Sequence, residues 1–134
     1  MENICVPVSP GELLDKITIL EIKAQQISDA EKLRNVETEL KLLTRVWQQA
    51  SLDDTKVQSF KQALKTVNQD LWMIEDKLRI KEAEKEFGQE FIDLARSVYV
   101  QNDKRAAIKK EINALLGSTI VEEKSYARYQ TPPI

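Results

Sequence analysis

Apolar residues three and four apart run through almost the whole chain, and that spacing narrows the available folds more than any other feature. Leu13, Ile17, Leu20, Ala24 and Ile27 form one ladder. Leu33, Val36, Leu40, Leu43, Trp47 and Ala50 form a second, and Val57, Phe60, Leu64, Val67, Leu71, Ile74 and Leu78 a third. A fourth runs Phe91, Leu94, Val98 and then Ile108, Ile112, Leu115. Alternation of three and four keeps one stripe of an α-helix turned to a partner, whereas a half-buried strand would alternate every second residue. Four ladders predict four helices packed on one another.

The punctuation agrees. In Ser9-Pro10-Gly11-Glu12 the Ser9 hydroxyl can accept from the first turn, Glu12 can reach back to the Ser9 N–H, and Pro10 loses no bond at the first helical position. Ser28-Asp29-Ala30-Glu31 repeats the box, so the first helix should end near Ile27 and a second begin at once. Asp53 or Asp54 can cap the third. Continued to Phe87, that helix would be roughly 45 Å long, more than a bundle of this size needs. Past Leu78 its ladder positions become Lys81 and Lys85, as a solvated end requires. Gly88 breaks the chain between helices and Gly117 closes the last one.

We therefore expect an all-α fold: an elongated, coiled-coil-like antiparallel bundle of four main helices in one domain. Residues 1–8 would form an extended arm, 9–117 the helical body and 118–134 the tail. Ile4, Val6 and Val8 alternate, so the arm is expected to lie against the bundle. The tail carries Ile120, Val121, Tyr126 and Tyr129, too apolar for a disordered segment. It is expected to dock as far as about Tyr129, leaving the last five residues mobile. Ile19 and Ile22 fall opposite the first ladder, and Leu42 and Val46 off the second. Such faces are buried either inside one bundle or against a second copy, and we expect a homodimer that is open to a further protein partner. Trp47 lies on its ladder and belongs to the core, whereas Trp72 lies about 140° off its own and calls for contact with arm, tail or partner.

Composition removes several functions. Twenty Lys and Arg stand against twenty-two Asp and Glu, interleaved, for a net charge of −2. That describes solvated helix faces, not the basic face a nucleic-acid binder needs. No apolar run is long enough for a membrane span or a secretory leader. With no His and one Cys, the chain has no Ser/His/Asp or Cys/His catalytic set and no internal disulfide. Carboxylates such as Glu37 and Glu39, or Glu82 and Glu86, lie among lysines, and no glycine-rich phosphate loop occurs. No metal and no cofactor are expected. Cys5 is expected to be a small buried apolar residue in a cytoplasmic protein.

One interruption stands out. Gln101 and Arg105 occupy ladder positions where Leu or Ile belongs, and Asn102 and Lys109 lie beside them. An arginine within an apolar stripe is costly unless it is paired and hydrogen-bonded. Either Arg105 meets a carboxylate of a neighbouring helix (Asp15, Glu21, Asp70 or Glu75) and fixes register, or Arg105 and Lys109 grip a carboxylate or phosphate between helices.

Residues 9–23, Leu71-Trp72 with Glu75-Asp76, and residues 91–96 and 102–105 resemble a family of short, all-helical bacterial proteins of unknown function. So do Ile112-Asn113 and Gly117-Ser118 with residues 122–126. The resemblance spans nearly the whole chain and implies a loose association with surface-polysaccharide gene neighbourhoods. It supplies no catalytic residues. Its polar positions coincide with the interruption, which raises the expectation of one ligand site built from Lys16, Lys23, Gln101, Asn102, Arg105, Lys109, Glu123 and Tyr126. The function expected first is a non-catalytic, self-associating adaptor. The alternative is a binding protein or enzyme for a small anionic metabolite such as a sugar phosphate.

Overall fold

The computed structural model of the protein describes residues 1–129. Among them the chain forms four helices: α1 (Pro10–Gln26), α2 (Ala30–Gln49), α3 (Asp54–Glu84) and α4 (Gln89–Leu115). Helix α1 packs on each of the other three. Its sequence requires this, because it is apolar on two faces. Of its 17 residues only Lys16, Gln25 and Gln26 are exposed. Ile22, opposite the main ladder, is as buried as Leu20 within the one subunit.

The core begins where α1 meets the rest. Leu13, Leu14 and Ile17 pack with Trp47 of α2, Val57 and Leu64 of α3, and Ile112 of α4. Each fully buried leucine contributes about 1.5–3 kcal/mol relative to an exposed one. Trp47 donates its indole N–H to Asp54, tying α2 to the start of α3. The buried positions of α3 end at Leu71. With 31 residues, α3 is about 46 Å long and far outruns α1. Past Leu71 the facing side chains of the α3–α4 hairpin, Ile74, Leu78, Phe91, Leu94 and Val98, are only half-buried. Lys81 pairs there with Glu86 and Glu90 at 3.0 Å each, the solvated end anticipated from the lysines.

The caps fall close to the expected places. Ser9 accepts from the Glu12 N–H, Asp29 instead of Ser28 caps α2, and Asp53 caps α3. α3 stops at Glu84, short of Phe87, because Lys85 adopts a left-handed conformation. Gly117 at φ 67° lets the Ser118 N–H return to the Asn113 carbonyl, closing α4. Leu115 is exposed, and Leu116 turns to the core in its place.

Two expectations about the N-terminal end are overturned, the packed arm and the buried cysteine. Residues 1–8 are all exposed, Ile4 at 80 %, and Cys5 is an exposed thiol. An extended arm needs a strand edge or an apolar groove beside it, and the start of α1 is already occupied by α4. The tail does follow α4, but with Val121 and Tyr126 in solvent. Its contacts are polar and aromatic: Glu122 to Lys109, Glu123 to Lys110, and Tyr129 to Asp103 and the Tyr99 ring. The mobility expected of the last five residues lies outside the described residues. No helix among those described is long and apolar enough to cross a membrane.

Candidate functional site

Helices α1 and α4 approach closely at Gly11. Its N–H donates to Asn113 Oδ1 at 2.7 Å, and a Cβ there would lie 2.6 Å from the Lys109 carbonyl oxygen. That approach sets the register. Asn113, Lys109 and Arg105 follow one another by a turn along α4 and face Glu12, Asp15 and Thr18 of α1. Asn68 of α3 completes the layer.

Lys109 is the hub of one half. Its ammonium, whose side chain is 11 % exposed, lies 2.6 Å from Glu12, 3.4 Å from Asp15 and 3.4 Å from Glu122 of the tail. Burial alone would lower its pKa. The hydrogen bond with Glu12 and the charges of Asp15, Glu12 and Glu122 outweigh that, and the pKa is raised. Glu12 is correspondingly lowered, first by the Lys109 hydrogen bond, against burial, and then by the charges of Lys109, Lys16 and Arg105. Glu12 is thus drawn away from the capping role it was expected to complete.

Arg105 is placed differently. Its NH1 donates to Asn68 Oδ1 at 3.4 Å, and among the described residues it makes no ion pair. The carboxylates expected to neutralise it are engaged elsewhere or exposed. Asp15 is held by Asn68 and Lys109, Glu21 lies near Lys61 and Lys65, and Asp70 and Glu75 are exposed. Asn68 is itself fixed, donating to Asp15 Oδ1 at 2.8 Å and Thr18 Oγ1 at 3.0 Å, so its oxygen is committed to Arg105. A half-buried guanidinium, braced from behind, keeps most of its five donors free.

Arg105 lines two clefts. One, of about 970 Å³, lies between α4 and the tail and is bordered by Tyr99, Asn102, Asp103, Lys124, Tyr126, Arg128 and Tyr129. The other, of about 420 Å³, lies between α1, α3 and α4 and includes Lys23, Asn68 and Trp72. Lys109 and Glu123 sit in a smaller third cleft under the tail, of about 180 Å³. The residues expected to converge are therefore divided. Arg105, Asn102 and Tyr126 share the tail cleft, Lys23 shares the groove with Arg105, Lys16 pairs loosely with Glu12, and Gln101 is half-buried and lines none of the three.

Asn68 was missed, yet the signal exists. It lies beside Val67, four residues after Leu64 and three before Leu71, flanking an unbroken ladder as Asn102 flanks the interrupted one, a weaker mark than that of Arg105. Tyr99 of α4 and Lys124, Arg128 and Tyr129 of the tail carry no such signal, because only the path of the tail closes the cleft around them.

Residues 4–134 match a family of unknown function. The chain belongs to that family, DUF6165. The match takes in most of the arm, all four helices and the tail, so the polar layer and its clefts lie wholly within the family's extent. No curated protein and no solved structure matches the chain.

Proposed function

We propose that the protein binds a small anionic metabolite, with Arg105 as the anchor. The observation that carries this reading is a half-buried arginine with no carboxylate partner among the described residues, facing a cleft it shares with Asn102, Lys124 and Arg128. Arg105, Lys124 and Arg128 stand there against Asp103, whose carboxylate accepts from the Tyr129 hydroxyl, and Glu122, which lies 3.7 Å from Lys124. A guanidinium offers a paired fork to a carboxylate or phosphate, and the tyrosines supply flat walls. Lys109 takes no direct part, since three carboxylates already neutralise it. Its place is structural, holding Glu122 and with it the tail. A bacterial setting is what the resemblance implies, a cytoplasmic one is the expectation from the single cysteine, and a sugar phosphate is one of the first ligands to test.

A thermal-shift panel of inorganic phosphate, sugar phosphates and dicarboxylates tests the reading. A ligand at a hundred times its Kd stabilises by about 2.7 kcal/mol, or roughly 10 °C in Tm for a domain of this size. We expect such a rise for at least one anion, and its loss in Arg105→Gln while that variant remains helical by circular dichroism. No response across the panel contradicts the anchor.

The second reading, a self-associating adaptor, has its own support in the far part of the α3–α4 hairpin. Met73, Ile80, Phe87 and Ile92 are each 45–56 % exposed on this coiled-coil-like arm. We propose that two copies cover this face as a homodimer. Sedimentation equilibrium at tens of micromolar should give twice the 15.4 kDa chain mass, and Ile80→Asp should return it to monomer. A monomer throughout contradicts self-association without touching the anion site.

A further inference from the structure

The groove between α1, α3 and α4 is built of more than anion binding needs. It follows α3 from Asn68 to Arg79, about 16 Å at 1.5 Å per residue. Its floor is Ile19, Ile22, Leu71 and Trp72. Ile22 and Leu71 are buried, while Ile19 and Trp72 are half-buried and open to the groove. The charged groups are arranged by depth. Glu75, Asp76 and Arg79 are exposed along one end, whereas Lys23 and Arg105 are half-buried and Arg105 enters at the other end, beside buried Asn68. Its volume of about 420 Å³ is in the range of small-molecule sites. Trp72 points away from its helix's own ladder, and a large aromatic surface left half-open beside a braced cation suits a ligand with both an apolar and an anionic part.

We infer that the groove takes the body of the ligand held by Arg105: an amphipathic anion, its carboxylate or phosphate on the guanidinium and its aromatic or aliphatic part along Ile19, Ile22, Leu71 and Trp72. The inference rests on Arg105 being an anion anchor and adds the chemical class. A fully hydroxylated body would cover these four side chains without gaining from their apolar surface. An uncharged apolar molecule would leave Arg105 dehydrated and unpaired, which is costly.

The test is a titration of the ¹⁵N-labelled full chain with four probes: 4-phenylbutyrate, 4-phenylbutanol, 4-phenylbutylamine and inorganic phosphate. The three phenylbutyl compounds share one body and differ in charge. Trp47 and Trp72 give two indole N–H signals, one from the core and one from the groove. We expect phenylbutyrate to move the Trp72 signal saturably and leave that of Trp47 in place. It should bind at least tenfold more tightly than the alcohol, the amine or phosphate. Arg105→Gln should remove the advantage over the alcohol. Trp72→Leu should weaken phenylbutyrate at least fivefold and leave phosphate unchanged. If Arg105→Gln disturbs the amide spectrum, the phenylbutyrate-to-phosphate ratio in Trp72→Leu decides.

Phosphate binding that depends on Arg105, with phenylbutyrate no tighter than phosphate or without effect on Trp72, overturns the groove and leaves the anchor standing. Alcohol or amine binding as tight as the acid also overturns the groove assignment. If neither anion responds to Arg105→Gln, the anchor and the groove fail together.

Discussion

A Lys109→Met variant should lose about 3 kcal/mol of stability, because removing one partner of a buried charge cluster leaves the others uncompensated. Methionine fills much of the lysine's volume, so the loss reports charge more than cavity. Asp15, at 6 % exposure, would keep its Asn68 hydrogen bond but lose its counter-ion, and Glu12 would lose its 2.6 Å contact. Glu12 is about a third exposed and water would screen it, which holds the expected cost near the lower end for buried pairs. Urea unfolding should show the change as a lower midpoint with an unaltered slope.

The same variant should alter the response to pH. Glu12's pKa is lowered in the folded protein, so its contribution is complete above the usual 4.5 and is lost as pH falls through the lowered value. Lys109's pKa is raised, so its contribution is complete below the usual 10.5 and is lost as pH rises through the raised value. The wild type should lose this increment at both extremes. Lys109→Met should lose nothing at the alkaline end and, with only Lys16 and Arg105 left to lower Glu12, less at the acid end, giving a flatter stability profile below pH 4.5 and above 10.5.

Gly11→Ala should be nearly as damaging, at about 3 kcal/mol, the upper end of what overpacking usually costs. The added Cβ would meet the Lys109 carbonyl oxygen at 2.6 Å and Asn113 Oδ1 at 2.9 Å. The first is backbone inside α4 and cannot yield unless the helix moves. The second accepts the Gly11 N–H, so displacing it breaks that bond as well. The expected fall in Tm is roughly 10 °C. Gly88→Ala provides the comparison: nothing lies within 4 Å of its Cβ position, and the change should stay within about 1 kcal/mol. Equal melting temperatures for the two variants would show that α1 and α4 do not make this close approach.

What could be read in advance follows from which forces are local. The ladders through Ile17, Leu64 and Ile112 report helical periodicity, a property of neighbouring residues, and these three are at most 3 % exposed. Caps at Ser9 and Asp53 are equally local, while at α2 the cap falls on Asp29, one residue past the expected Ser28. The partner of Lys109 was not legible, because the pairing depends on Gly11 admitting α4 so closely, a contact between residues 98 positions apart. The periodicity that marks Arg105 as anomalous also does not say which carboxylates Lys109 would take first. Alternating Ile4, Val6 and Val8 promised burial, but a pattern of apolar residues does not create a surface to receive them.

The most direct measurement follows the six arginine Nε–H signals of ¹⁵N-labelled protein during titration with inorganic phosphate. An anion anchored at Arg105 should move saturably a signal that is missing in Arg105→Gln, with Arg128, which shares the cleft, the one other arginine free to follow it. Small, parallel, non-saturating shifts of all six, as surface charge screening produces, would contradict the anchor.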